Sequence, residues 1–204
     1  MKRNSLIGLV LVALATFSCQ KKVEYSIEPH IVYEGFAYLF DADSTFSGQG
    51  ILSFSYTDGD GDLGLDDGDT LPPFGPTDAH YYNMVVDYLK CVNGVFVKTP
   101  LLCPHVPTAP SDTLALFDTV SFNARFRRLR DSEEPKAISG TMEYTLLVQN
   151  PLSPDDTIKF EIRILDRALH ESNTIQTEAI ITNPSFLGSK RSAFNGVKSY
   201  MNRK

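Results

Sequence analysis

Along most of the chain, hydrophobic and polar positions alternate with a period of two. In residues 138–148, ISGTMEYTLLV, Ile138, Met142, Tyr144, Leu146 and Val148 fall on one face while Ser139, Thr141, Glu143 and Thr145 fall on the other. That is the pattern of a strand with one buried and one wet face. Residues 158–164, IKFEIRI, repeat it with Phe160 and Ile162 inward and Lys159, Glu161 and Arg163 outward. Further strands are predicted at 32–40, 51–56, 81–92, 95–98, 119–125 and 174–181. Asn93-Gly94, set between DYLKCV and VFVK, predicts a two-residue hairpin, because a type I′ turn needs positive φ at both central positions. The clusters NPLSPDD and PHVPTAPSD read as turns, and no stretch beyond the N-terminal apolar run has helical periodicity. Seven to eight short antiparallel strands predict an all-β sandwich of the immunoglobulin or fibronectin III kind, a single domain over residues 31–182.

The N-terminus has a different pattern. In MKRNSLIGLVLVALATFSC, Lys2 and Arg3 precede an apolar run over residues 6–15, and small or modest residues lead to Cys19. This is the layout of an export signal, and its apolar run is too short for a bilayer-spanning helix of about twenty residues. The cysteine at the cleavage position predicts a lipoprotein signal over 1–18, with Cys19 as the lipidated first residue and 19–30 as a tether. An ordinary signal with a chance cysteine is the plainer alternative. The chain is then expected in the cell envelope, lipid-anchored to the outer membrane. QKKVEY after Cys19 lacks an acidic cluster, which favours a periplasm-facing location.

Charge narrows the partners. Without the signal, 17 basic residues face 25 acidic ones, a net charge of −8, and an acidic protein does not bind nucleic acid by charge. The tail over 183–204 is basic, with Lys190, Arg191, Lys198, Arg203 and Lys204. A solvated, frayed terminus is favoured there over contact with anionic headgroups. With Cys19 lipidated, Cys91 and Cys103 remain as an even pair in an oxidising compartment, so a disulfide is expected between them. Two buried free thiols are the alternative.

The densest chemistry lies in Asp58–Asp69, DGDGDLGLDDGD, with six aspartates and four glycines in twelve residues. Gly59, Gly61 and Gly64 satisfy Gly-x-Gly-x-x-Gly after a strand, but that motif aims bare N–H groups and a helix N-terminus at phosphate. Here aspartates surround the spot and Pro72-Pro73 stands in place of the helix, so a nucleotide is excluded. Calcium wants the opposite field, several hard oxygens around one ion. Asp58, Asp60 and Asp62 occupy positions one, three and five of a calcium loop and Asp69 position twelve, but position six is Leu63 rather than glycine. The loop is therefore not an EF-hand, and a different calcium loop competes with a plain flexible turn. No lysine or arginine occurs between Lys22 and Lys90 to neutralise the cluster, which favours the ion.

ILSFSYTDGDGDLG, YYNMVVDYLKCVNGVF and TIKFEIRILDRALHESNTI together resemble a family of small lipoproteins of Bacteroidota-type cell envelopes, each with a single immunoglobulin-like domain and a DGDGDLG loop. The resemblance implies location and fold, and it implies no activity.

In such a sandwich the loop after the second strand and the loop between the last two strands emerge at the same end. Asp166, Glu171 and Asn173 are therefore expected to join Asp58, Asp60 and Asp62 around a calcium ion, unless Arg167 and His170 neutralise the aspartates instead. Catalytic patterns are weak: His30, His80, His105 and His170 are scattered and Gly-x-Ser-x-Gly is absent. The expected function is a calcium-stabilised, envelope-tethered binding or scaffold domain that holds an envelope protein or a glycan; an exposed aromatic platform would support the glycan, and its candidates are Tyr81 and Tyr82, although strand aromatics are more often core. The alternatives are an accessory subunit of an outer-membrane assembly and, outside these, a hydrolase.

Overall fold

A computed structural model of the protein describes residues 24–41, 46–106, 116–130, 134–148 and 156–182. The expected signal peptide, Cys19 and the basic tail lie outside them. Among the described residues no helix is long and apolar enough to cross a membrane. The described residues are all-β, with ten strands among them: β1 (His30–Phe40), β2 (Phe46–Asp58), β3 (Met84–Val92), β4 (Val95–Lys98), β5 (Leu101–Pro104), β6 (Phe117–Val120), β7 (Ile138–Leu147), β8 (Thr157–Ile164), β9 (Ile175–Gln176) and β10 (Ile180–Ile181).

All named strand pairs are antiparallel. One sheet runs β1-β2-β7, a second runs β10-β8-β3-β4 with β9 also on β8, and β5-β6 form a separate pair. The alternating pattern explains the packing. Ile31, Leu52, Phe54 and Leu146 from the first sheet meet Met84, Val86, Tyr88, Ile158, Phe160, Ile162 and Ile164 from the second in one core. Each fully buried aliphatic or phenyl side chain there contributes about 1.5–3 kcal/mol. Leu63 and Phe122 join this core from outside the strands.

Two registers position the functional end. Asp58 closes β2 opposite Ile138 of β7, and Ile164 closes β8 opposite Met84 of β3. Just beyond, an isolated antiparallel bridge pairs Leu63 with Asp166, so the loops leaving β2 and β8 are stitched together across the two sheets.

The strands differ from the predicted ones where side chains replace ladder bonds. The 119–125 run stops at Val120, and Asn123 Oδ1 then accepts the Val86 N–H at 2.9 Å. The 174–181 run breaks into β9 and β10, with Thr177 Oγ1 accepting the Phe160 N–H. Strand β5, four residues bracketed by Pro100 and ending at Pro104, was not predicted.

The expected disulfide is not formed: Cys91 and Cys103 are free, half-buried thiols. Topology separates them. Cys91 pairs with Phe96 across the β3-β4 hairpin, whereas Cys103 pairs with Asp118 in the β5-β6 sheet, its Sγ 3.8 Å from the Asp118 carbonyl oxygen. An even cysteine count carries no information about which strands the two residues occupy.

Candidate metal centre

The aspartate loop owes its path to what holds it on either side. After Asp58 the chain curls through Gly61, whose φ is +74° and whose added Cβ would fall 2.1 Å from the Lys136 carbonyl oxygen. Only glycine fits this left-handed, crowded position. The Asp60 carbonyl accepts the Lys136 N–H at 2.9 Å. Leu63 and Leu65 then turn into the interior, and the Leu63 carbonyl accepts the Leu129 N–H while the Leu65 N–H bonds to the Phe126 carbonyl. Leu63 breaks the EF-hand pattern because it is a core residue.

From the other side, β8 runs into Leu165 and Asp166, and the chain turns back through Leu169 at φ +69°. The His170 N–H donates to Asp166 Oδ1 at 2.7 Å, and its Nδ1 lies 2.8 Å from Asp166 Oδ2. The Ala168 N–H donates to Asp62 Oδ2 at 3.1 Å. The two loops thus meet at one end of the domain, as expected.

Their meeting brings four carboxylates together. Asp58, Asp60, Asp62 and Asp166 each offer one oxygen, and these oxygens all lie within 4.8 Å of one another. Two ligands of a single calcium ion lie no farther apart than about twice the calcium–oxygen distance of about 2.4 Å. The spacing therefore fits one ion sphere. Asp58 is 0% exposed and Asp166 1%, and Asp58 Oδ1, Asp58 Oδ2, Asp60 Oδ1 and Asp62 Oδ1 are buried without a hydrogen-bond partner among the described residues. Buried carboxylate oxygens are ordinarily paired or metal-bound. The oxygen-only donor set suits calcium or magnesium and not zinc.

Electrostatics records the same crowding. Burial, followed by the charges of Asp60, Asp62 and Asp166, pushes Asp58 from 3.8 up to about 7. Asp62 is raised by burial and by Asp166 and Asp60. Burial also raises Asp166, against the hydrogen bonds from His170. That hydrogen-bonded Asp166 in turn raises His170.

Three expected ligands are held elsewhere. Asp69 is taken by Arg167, with Nη2 3.2 Å from Oδ1, and by the Asp66 N–H. Burial pushes Asp69 up, but the Arg167 and Asp66 contacts outweigh it and leave it below the ordinary carboxylate range. Glu171 pairs with Arg163. Asn173 bonds to the Ile31 backbone, accepting its N–H at 2.8 Å and donating to its carbonyl at 2.9 Å. The expected rival to the ion is thereby divided: Arg167 neutralises Asp69 and approaches Asp66, while His170 reaches only Asp166 among the four clustered carboxylates.

Arg125 was not singled out in the sequence. Its guanidinium donates to the carbonyls of Phe74, Tyr81, Asp66 and Asp69 and lies 5.2 Å from the Tyr81 ring centre. It organises the whole loop beyond the aspartates, and a lone arginine on a predicted strand gives no sign of this. Tyr81 and Tyr82 precede β3 and pack edge to face, 4.9 Å apart at 75°. Such a pair is not a flat stacking platform. Set against known protein families, curated proteins and solved structures, the chain matches none.

Proposed function

We propose that this chain is an envelope-tethered binding or scaffold domain, of immunoglobulin- or fibronectin III-like kind, whose loop end is held together by one calcium ion on Asp58, Asp60, Asp62 and Asp166. The observation that carries the reading is Asp58, fully buried with neither carboxylate oxygen paired, at the centre of four converging carboxylates. A cation there offsets the burial and repulsion that otherwise raise Asp58, Asp62 and Asp166, and it ties the β2 loop of one sheet to the β8 loop of the other. Calcium suits the site better than magnesium, because it accepts irregular sets of oxygens while magnesium demands a near-ideal octahedron and keeps its waters. The tether rests on the export signal ending at Cys19, and two facing antiparallel sheets support the sandwich class.

Calcium should raise the melting temperature of the chelator-treated protein by mass action on the folded state. Asp60→Asn or Asp166→Asn should lose most of that gain. A wild type whose melting temperature is the same in chelator and in millimolar calcium would overturn the reading and leave a plain acidic turn.

A second reading, an accessory subunit of an envelope assembly, is favoured by Val92, Val95 and Val97, which are exposed along the β3-β4 hairpin at one end of the second sheet. Recovery of a stoichiometric partner from intact envelopes, lost when Val95 and Val97 become threonine, would select it.

A further inference from the structure

The segment that precedes β1 packs against Gly59, in the loop that carries the proposed ion site. Gly59 sits between two of the carboxylates, and a Cβ added to it would fall 2.5 Å from the Tyr25 carbonyl oxygen and 2.6 Å from that of Ser26. The backbone of the N-terminal segment therefore rests directly on the aspartate loop, with its carbonyl oxygens toward it. Pro29 and Ile31 are buried, and the Asn173 side chain, from the loop that also supplies Asp166, clamps both polar backbone groups of Ile31. The β2 loop thus meets the segment itself, and the loop after β8 holds the start of β1 that follows it.

The charges make this contact conditional. The segment EYSIEP, residues 24–29, carries Glu24 and Glu28 and no basic residue, and it presents carbonyl oxygens to a loop that already crowds four carboxylates. Negative groups and the negative ends of dipoles are repelled by uncompensated carboxylates nearby, and a cation bound among those carboxylates cancels that field. The ion also sets the position of Gly59, because it binds the residues on either side.

We propose that cation occupancy of the Asp58, Asp60, Asp62 and Asp166 site controls whether the N-terminal segment, residues 24–29, is clasped against the domain or released. The proposal rests on the cation reading above. Clasped, the segment shortens the tether and holds the ion-binding end toward whatever anchors the N-terminus. Released, it lengthens the tether by six residues, about 20 Å when extended. Coupling between two sites is reciprocal, so a change that lifts the segment must weaken the ion by the factor by which the ion holds the segment.

The test is chymotrypsin cleavage after Tyr25 in the full chain in detergent micelles, followed by mass spectrometry, with calcium uptake measured on the same sample. Calcium should slow that cleavage about tenfold in the wild type, within the ordinary range of coupling between sites. Gly59→Ala, which keeps all four carboxylates, should still take up one ion, with affinity about tenfold weaker, and should be cut at the same rate with and without calcium. A wild type that binds calcium but is cut equally fast in chelator overturns the clasp and leaves the cation site standing. A wild type that takes up no calcium removes both. The wild-type comparison decides the matter even if Gly59→Ala fails to fold.

Discussion

Asp58 places both carboxylate oxygens in the interior with no hydrogen-bond donor among the described residues to meet them, and its acidity follows. Its folded pKa of about 7 stands above the ordinary 3.8, so between these values the folded state binds the extra proton. Stability therefore falls as pH rises through that window. Asp60, Asp62, Asp166 and His170 surround the group, and the raised Asp62, Asp166 and His170 act in the same direction. In chelator, the protein should melt at a higher temperature at pH 5 than at pH 8, and calcium should remove the decline. A chelated melting temperature that climbs from pH 5 to pH 8 would contradict this account. Arg125 bears a different burden, four backbone carbonyls of the 66–81 loop. Arg125→Ala should cost about 2–4 kcal/mol in denaturant unfolding, because hydrogen bonds from a charged donor are lost and acceptors are left unpaired. Arg125→Lys should not restore it, since an ammonium lacks the planar fork. The aspartates at 58, 60 and 62 were legible because glycine alternation turns alternate carboxylates to one side. Asp69 was misleading, because a twelve-residue spacing says nothing of the arginine that claims it.

At the scale of the element, the period-two pattern located β1, β2, β3, β4, β7 and β8 within a few residues, because each buries one face against a common core. Asn93 at φ +52° and Gly94 at φ +82° form the turn that their dipeptide predicted. An added Cβ at Gly94 meets nothing within 4 Å, so Gly94→Ala should cost only the left-handed backbone penalty of about 1–2 kcal/mol. Chemical denaturation checks this value, and a loss of 3 kcal/mol or more would mean that the turn carries contacts beyond its own conformation. The short elements were illegible for physical reasons. β5 has four residues and no turn dipeptide to mark it as Asn93-Gly94 marks the equally short β4, β9 and β10 have two residues each, too few for a period to show, and Asn123 and Thr177 supply from their side chains the bonds that a longer strand would make from its backbone. The free state of Cys91 and Cys103 belongs to this scale as well, since the strands they occupy pair with different partners.

At the scale of the molecule, the β2 and β8 loops were expected to meet as they do in an immunoglobulin-like sandwich, and the Leu63 to Asp166 bridge joins them. The contact of Tyr25 and Ser26 with the β2 loop was not visible in the sequence, because EYSIEP has no periodicity and its interaction is through backbone oxygens. If the N-terminal signal does end at Cys19, Cys19→Ser should move the protein from the membrane pellet to the soluble envelope fraction, and retention in the pellet would refute lipid anchoring. The central claim is the ion itself. Calorimetric titration of chelator-stripped protein with calcium should show one site per chain in wild type and no measurable uptake in Asp58→Ala, whose fold is confirmed by circular dichroism. Absence of any calcium uptake by folded wild type at millimolar concentration, or equal uptake by Asp58→Ala, would contradict it.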